Sequence, residues 1–266
     1  MTTSPELQET LNKYWSGRAE AYHHNQLHSE RAEFERPLWQ AVWAQALENR
    51  ANPANPENPE NPDTPTALKV LDLGCGSGYV THLLADAGFN TTGIDGAAEM
   101  IAQAEVENQH RQQNSQATAT FLHGDAHQPQ FAPHSFDAIT SRYVLWTLLD
   151  PEAALKNWLE LLKPGGVIAC VDAAWYPEGI DPATEVVSTD GPDAFLQTYT
   201  PEFLSHLPLS TIPTPDHYAE LFRTVGLENV TVTPIEGLAQ LDQRFGLSPG
   251  HESTPQYLFR GTVATN

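Results

Sequence analysis

The stretch V-L-D-L-G-C-G-S-G-Y, residues 70–79, constrains the fold more than any other part of the chain. An apolar run that reads as a buried strand ends in glycines at 74, 76 and 78 and passes directly into a helix-forming segment. Glycines there permit a tight turn and let a ligand approach the backbone at a helix N-terminus, where N–H groups lack partners. The flanking sequence supplies the rest of a wound sheet. ALKVLDL, NTTGID, ATATFLHGD, SFDAITS and GGVIACVDA read as strands. Helices are expected between them at Tyr79 to Ala87, Ala97 to about Gln113 and Pro151 to Leu162. Such alternation means βαβ units and a largely parallel α/β sheet.

The ends of the chain break this rhythm. Residues 1–50 read as two helices, the first opening at Ser4-Pro5 with Leu7, Leu11, Tyr14 and Trp15 at helical spacing. The second runs from Ser29 to about Arg50, with Phe34, Leu38, Val42 and Leu47 on one stripe. Residues 51–66 repeat Asn-Pro, and each proline removes a backbone donor and pushes its neighbour out of the helical region, so a linker or loop is expected. Residues 67–266 then form one domain, with a helical cap inserted at about 175–213. HYAELFRTVGL reads as an amphipathic helix, and ENVTVTPI and QYLFRGTVAT as two closing strands. With no further crossover helix between them, these last strands are expected to pair antiparallel.

Charge narrows the partners. With 34 acidic and 13 basic residues, the formal net charge is −21, which repels nucleic-acid backbones and anionic lipid surfaces. Nucleic acid and membrane are therefore not expected as partners. The N-terminus shows no basic region followed by an apolar stretch, and no window approaches eighteen apolar residues, so the expected location is cytoplasmic. Cys75 and Cys170 make no disulfide framework, and no linear run has metal-ligand spacing, so no metal is expected.

Three carboxylates give the glycine loop its meaning. A dinucleotide loop of the form G-x-G-x-x-G wants glycine at 79, where this chain has Tyr79. Asp72, two residues before the first glycine, would repel a pyrophosphate but suits a cationic amino group. Asp95 ends the second strand about twenty residues on, where an acid can accept from ribose hydroxyls. Asp125, after the third strand, can accept from an adenine amino group.

LDLGCGSG, GID, GDA, SFDAITSRYVLWTL and the LLKPGG turn, in this order, resemble the class I S-adenosylmethionine-dependent methyltransferases. The likeness is to their small-molecule branch, which includes quinone C-methylating enzymes, and it covers roughly residues 67 to 172. It implies a Rossmann-like, doubly wound, mostly parallel seven-stranded sheet whose last strand is antiparallel. It also implies S-adenosylmethionine as cofactor, S-adenosylhomocysteine as product, and methylation of an O, N or C atom of a small metabolite. By resemblance, Asp72, Gly74, Cys75, Gly76 and Gly78 hold the methionine end. Asp95 with Gly96 holds the ribose, Asp125 with Ala126 holds the adenine, and Met100 lies beneath it. Ser141 and Arg142 pass near the sulfonium. The N-terminal segment, with Arg18, Tyr22, His23, His24 and His28, covers the cofactor. Tyr143, Trp146, Trp175 and Tyr176 are candidates for the acceptor pocket, although each equally suits core packing. A sulfonium methyl is already activated, so positioning can carry much of the catalysis and no general base is assigned. A nicotinamide-dependent oxidoreductase and a non-catalytic cofactor-binding module are the readings from other classes. Oligomeric state is left open.

Overall fold

A computed structural model describes residues 4–48, 67–180, 194–246 and 253–265. The Asn-Pro segment and residues 181–193 of the expected cap lie outside the described residues. Seven strands form one sheet: β1 (Lys69–Leu73), β2 (Asn90–Asp95), β3 (Thr120–His123), β4 (Phe136–Arg142), β5 (Leu162–Asp172), β6 (Glu228–Pro234) and β7 (Tyr257–Thr262). Their order is β3-β2-β1-β4-β5-β7-β6. The first five pair in parallel, and β7 runs antiparallel to both β5 and β6. The expected fold class and antiparallel ending are therefore observed.

Alternation along the strands assigns side chains to the two faces. Leu71, Leu73, Ile139, Ile168 and Cys170 enter one core with Trp158, Tyr218 and Phe222. Val70, Ala138, Val167, Ala169 and Val171 enter the other with Trp39, Trp43, Leu83 and Leu84. Burial on both faces explains why these strands read as continuous apolar runs. Helices α1 (Ser4–Leu27), α2 (Glu30–Ala46), α3 (Tyr79–Asp86), α4 (Ala98–Gln113) and α5 (Pro151–Leu161) follow the expected sequence signals closely. Ser29 caps α2 by accepting from the N–H of Ala32, and Asp150 caps α5 by accepting from Ala153, with Pro151 at its first position.

Three expectations change. The inward face of α2 is Trp39, Val42, Trp43 and Ala46, whereas Phe34 is 41% exposed beneath the guanidinium of Arg244. Two tryptophans bury more apolar surface than the Phe34–Leu38 edge, so the helix rolls onto them. Strand β5 begins at Leu162, which pairs with Phe136, so the Lys-Pro-Gly-Gly run lies within the strand at a register shift rather than in a turn before it. Between β6 and β7 stands an unforeseen helix. After α6 (Ala194–Thr198), α7 (Pro201–Leu204) and α8 (Asp216–Thr224), α9 (Leu238–Phe245) docks on α2. Leu238 joins the core there, and Asp242 pairs with Arg31 at 2.7 Å. Its eight residues make barely two turns, too short a run to stand out in the sequence.

Candidate functional site

The strand order reverses between β1 and β4, and ligands of open α/β sheets bind beyond the strand C-termini at such a point. A cavity of about 450 Å³ opens there. Its floor begins with the glycine loop. Gly74 has φ +63°, and a Cβ on it would strike the Val144 side chain; Gly78 has φ +87°, and a Cβ would lie 2.7 Å from the Phe121 ring. Only glycine meets both demands without strain.

Asp95 ties this loop to the next helix. One carboxylate oxygen accepts from the Gly76 N–H at 2.8 Å and the other from the Ala97 N–H at 2.8 Å. Burial nonetheless raises its pKa above the usual carboxylate value. Asp125 accepts from the His127 N–H at 2.8 Å and faces His127 Nδ1 at 3.2 Å. Its contacts with His127 hold its pKa below the ordinary value. His127 Nε2 in turn accepts from the Leu149 N–H at 2.9 Å, so the neutral ring carries its proton on Nδ1, towards Asp125. This histidine latches the loop after β3 to the segment after β4. Trp158 donates to the Ala126 carbonyl at 2.6 Å and fixes the same loop from below.

Arg142 ends β4 on the cavity wall. Its guanidinium lies 4.8, 4.9 and 5.0 Å from the ring centroids of Trp39, Tyr79 and Tyr143. It forms no ion pair among the described residues, since no carboxylate reaches it within salt-bridge distance. A cation held between π faces at a cavity wall keeps its N–H donors for an anionic ligand group.

The roof is aromatic. Leu11, Tyr14 and Trp15 of α1, Trp146, Tyr176 and Phe195 of α6 line it. Tyr14 meets Trp15 edge-on at 5.1 Å and Tyr199 at 5.2 Å, and Trp146 meets Tyr176 at 5.6 Å. Asp172, at the end of β5, joins roof to floor. It accepts from Trp175 Nε1 at 2.5 Å, the Ala173 N–H at 3.0 Å and the Trp146 N–H at 3.2 Å, and burial pushes its pKa up to about 7.

Of the candidate site residues named from the sequence, Gly74, Gly76, Asp95, Gly96, Met100, Asp125, Ala126, Arg142, Tyr22, Tyr143, Trp146, Trp175 and Tyr176 meet at this cavity. The others do not. Asp72 lies beneath the loop, its carboxylate accepting from Thr81 Oγ1 at 2.6 Å and Thr140 Oγ1 at 2.9 Å. Burial raises its pKa to about 6 despite those hydroxyls. It acts here as a brace for the strand end, not as a wall group. Cys75 packs with Ile101, Ala104 and Phe121; Ser141 is buried in the sheet; Gly78 faces Phe121. Arg18 is exposed, and His23 and His28 sit outside the lining residues. The reading missed Gln8, Asn12, Tyr14, Trp15, His127 and Phe195 as lining residues. Leu11, Tyr14 and Trp15 had shown only helical spacing, which also describes an ordinary buried stripe.

A family model described as a methyltransferase domain matches residues 71–170. The chain is 30% identical over 185 residues to a 2-phytyl-1,4-naphtoquinone methyltransferase of Thermosynechococcus vestitus, covering 63% of this chain and 75% of that protein. The chain belongs to the class I S-adenosylmethionine-dependent methyltransferases. It is also 30% identical over 163 residues to a ubiquinone biosynthesis O-methyltransferase of Cereibacter sphaeroides, with 61% of each chain covered. It thus spans less than two thirds of that relative's length. Among solved structures, a phosphoethanolamine N-methyltransferase 2 of Haemonchus contortus, in complex with phosphomonomethylethanolamine and S-adenosylhomocysteine, matches 98% of this chain and 61% of its own at 14% identity and TM-score 0.63. The [4+2]-cyclase SpnF matches 90% of this chain and 84% of its own at 14% identity and TM-score 0.58. At such identities these two share the fold alone, and their different named reactions show that the fold does not fix the chemistry. Among the described residues no helix is long and apolar enough to cross a membrane.

Proposed function

We propose that this methyltransferase binds S-adenosylmethionine along the cavity floor and methylates an O, N or C atom of a small, ring-bearing apolar molecule held beneath the aromatic roof. The observation that carries the proposal is the division of one cavity into a polar floor and an apolar roof. The floor suits the cofactor in its own chemistry. Arg142 offers unpaired donors to a carboxylate, and the Gly74–Gly76 backbone permits close approach. Asp95 keeps lone pairs for ribose hydroxyls, and Asp125 with the Ala126 backbone faces the place for an adenine edge, with Met100 beside it. Asp72 has no place in this scheme as an amino-group ligand, because it is buried beneath the loop, outside the cavity lining, with both oxygens turned to threonine hydroxyls.

The bound cofactor supplies an activated methyl group on a sulfonium. The protein's own task is to align an acceptor atom with it and to keep water away. Tyr14, Trp15, Trp146 and Phe195 offer ring faces and edges that favour a flat acceptor over a small hydrophilic one. His127, although a titratable ring on the wall, is engaged at both nitrogens and is not free to act as a base. The aromatic roof also suits the alternative of a quinone precursor as acceptor, and it agrees with the quinone-related names of the relatives. The same proposal takes the enzyme to work in the cytoplasm, which fractionation of the source cells would check.

Calorimetric titration with S-adenosylmethionine and S-adenosylhomocysteine is the first test. Saturable binding to wild type, lost in Asp95→Ala, supports the floor assignment; no binding of either ligand to the wild type overturns it. A labelled-methyl screen of hydroxylated and aminated ring compounds against short hydrophilic amines then tests the roof. Turnover confined to the hydrophilic amines would reject the ring-bearing acceptor.

A further inference from the structure

Outside the cavity, the packing of α1 on α4 assembles a group that the linear sequence does not display. His23 and His28 stand five positions apart at the end of α1, and Glu107 lies on α4. One ligand atom from each falls within 4.8 Å of the other two. The His23 and His28 rings meet at 5.5 Å between centroids, 70° apart in plane. His23 is half-buried, and its Nδ1 is shielded from solvent with no hydrogen-bond partner among the described residues. A shielded, unpartnered imidazole nitrogen is costly unless something supplies a partner.

We propose that His23, His28 and Glu107 form a site for a zinc-like divalent cation that fastens the C-terminal end of α1 to α4. Two imidazoles and one carboxylate are a donor set that zinc accepts with a fourth, water-filled position. Calcium and magnesium prefer oxygen-rich cages and do not suit it. The site lies outside the cavity lining, and Tyr22, next to His23, lines the cavity. A cation here would hold the covering helix in place without touching a ligand in the cavity. The expectation of no metal rested on linear spacing, whereas this grouping exists only once two helices separated by the whole of α2, β1, α3 and β2 have docked.

The test uses the full chain prepared without a histidine tag, stripped with a chelator and titrated with Co²⁺ and Zn²⁺. One equivalent of Co²⁺ giving the intense visible bands of a four-coordinate ion, displaced by Zn²⁺, is the expected result. Outer-shell substitutions cost metal sites roughly 10- to 100-fold in affinity; His28→Ala and Glu107→Gln remove direct ligands and should each cost at least about 100-fold. Both side chains lie at the surface or partly so, and circular dichroism of the metal-free variants should match wild type. Failure of the stripped wild type to take up one equivalent, or uptake unchanged in both variants, overturns the site. Neither readout depends on cofactor binding or methyl transfer.

Discussion

The cavity's floor and roof are made of different material and are specified in different ways. The floor is backbone and carboxylate: Gly74, Gly76 and Asp95 are placed by strand ends and tight turns, and Asp95 spends both oxygens on N–H groups of neighbouring loops. The roof is side chain on side chain, with Tyr14, Trp15, Trp146, Tyr176 and Phe195 drawn from four separate stretches of the chain. A floor of this kind tolerates almost no substitution, because its geometry is set by φ angles and by bonds to main-chain atoms. A roof of rings in edge contact can be recut one ring at a time. The difference suggests a general division of labour, in which a rigid floor recognises one invariant ligand and a replaceable roof selects the variable one.

The most damaging way to probe the floor is Asp95→Ala. It leaves two buried N–H groups without acceptors, each charge-assisted bond being worth about 1.5–3 kcal/mol, and it removes the proposed ribose partner. S-adenosylhomocysteine affinity should fall by at least about 100-fold in calorimetry, as the loss of two charge-assisted bonds to the ribose hydroxyls, each worth about 1.5–3 kcal/mol, would imply. Retention of wild-type affinity would mean that the floor is not the cofactor cradle. Gly78→Ala comes next. A left-handed φ costs roughly 1–2 kcal/mol for a residue with a Cβ, and the clash with Phe121 adds overpacking of about 1–3 kcal/mol. Thermal denaturation should show a midpoint lower by several degrees, a drop that Gly17→Ala, with nothing near its Cβ position, should not reproduce.

The same division explains what the sequence disclosed. The run from Val70 to Tyr79, the two aspartates at strand ends and the alternation of strands and helices are local signals, and each survived as an element or a wall group. Asp72 misled because a residue at a strand tip can face the ligand or the neighbouring strands, and the sequence does not show that Thr81 and Thr140 converge on it. His127 was passed over because its two partners, Asp125 and the Leu149 N–H, declare themselves only when the loops after β3 and β4 meet. Tyr14 and Trp15 were visible as a helical stripe, yet what that stripe faces depends on where α6 docks, some 180 residues along the chain. Helix α9 was lost to its shortness. What was legible was local; what was not was made by long-range packing.

A milder cut tests the roof. Phe195 is only partly buried and belongs to a five-residue helix, so Phe195→Ala should cost little in stability. An aromatic contact is worth about 0.5–1.5 kcal/mol beyond its buried area, so loss of the ring should raise the KM for a ring-bearing acceptor about tenfold. Affinity for S-adenosylhomocysteine should stay within about twofold, since Phe195 makes no part of the floor. An equal loss for both ligands would erase the distinction between floor and roof.

The smallest expected effect lies where the halves join. The pKa of Asp172 is pushed up to about 7 and that of Asp72 to about 6, both from 3.8, because burial penalises the charged forms more than their donors reward them. In both cases the folded protein holds a proton that the unfolded chain has released above about pH 4. The contributions of these two groups to stability therefore fall as pH rises, from about 4 to about 6 for Asp72 and from about 4 to about 7 for Asp172, each by at most about 1.4 kcal/mol per pH unit. Buried His82, its pKa lowered to about 4, adds an opposite slope below about 6.5. Asp172→Asn should remove its share of the decline between pH 6 and 7 and reduce the decline between about 4 and 6 to the share of Asp72, read as denaturation midpoints in urea across the range. The variant's baseline will shift as well, because an amide cannot accept from Trp175, Ala173 and Trp146 as a carboxylate does. The slope, not the baseline, is what decides. A slope over pH 6 to 7 that Asp172→Asn leaves unchanged would show that the three donors keep Asp172 ionised, and that the joint between floor and roof is a charged one.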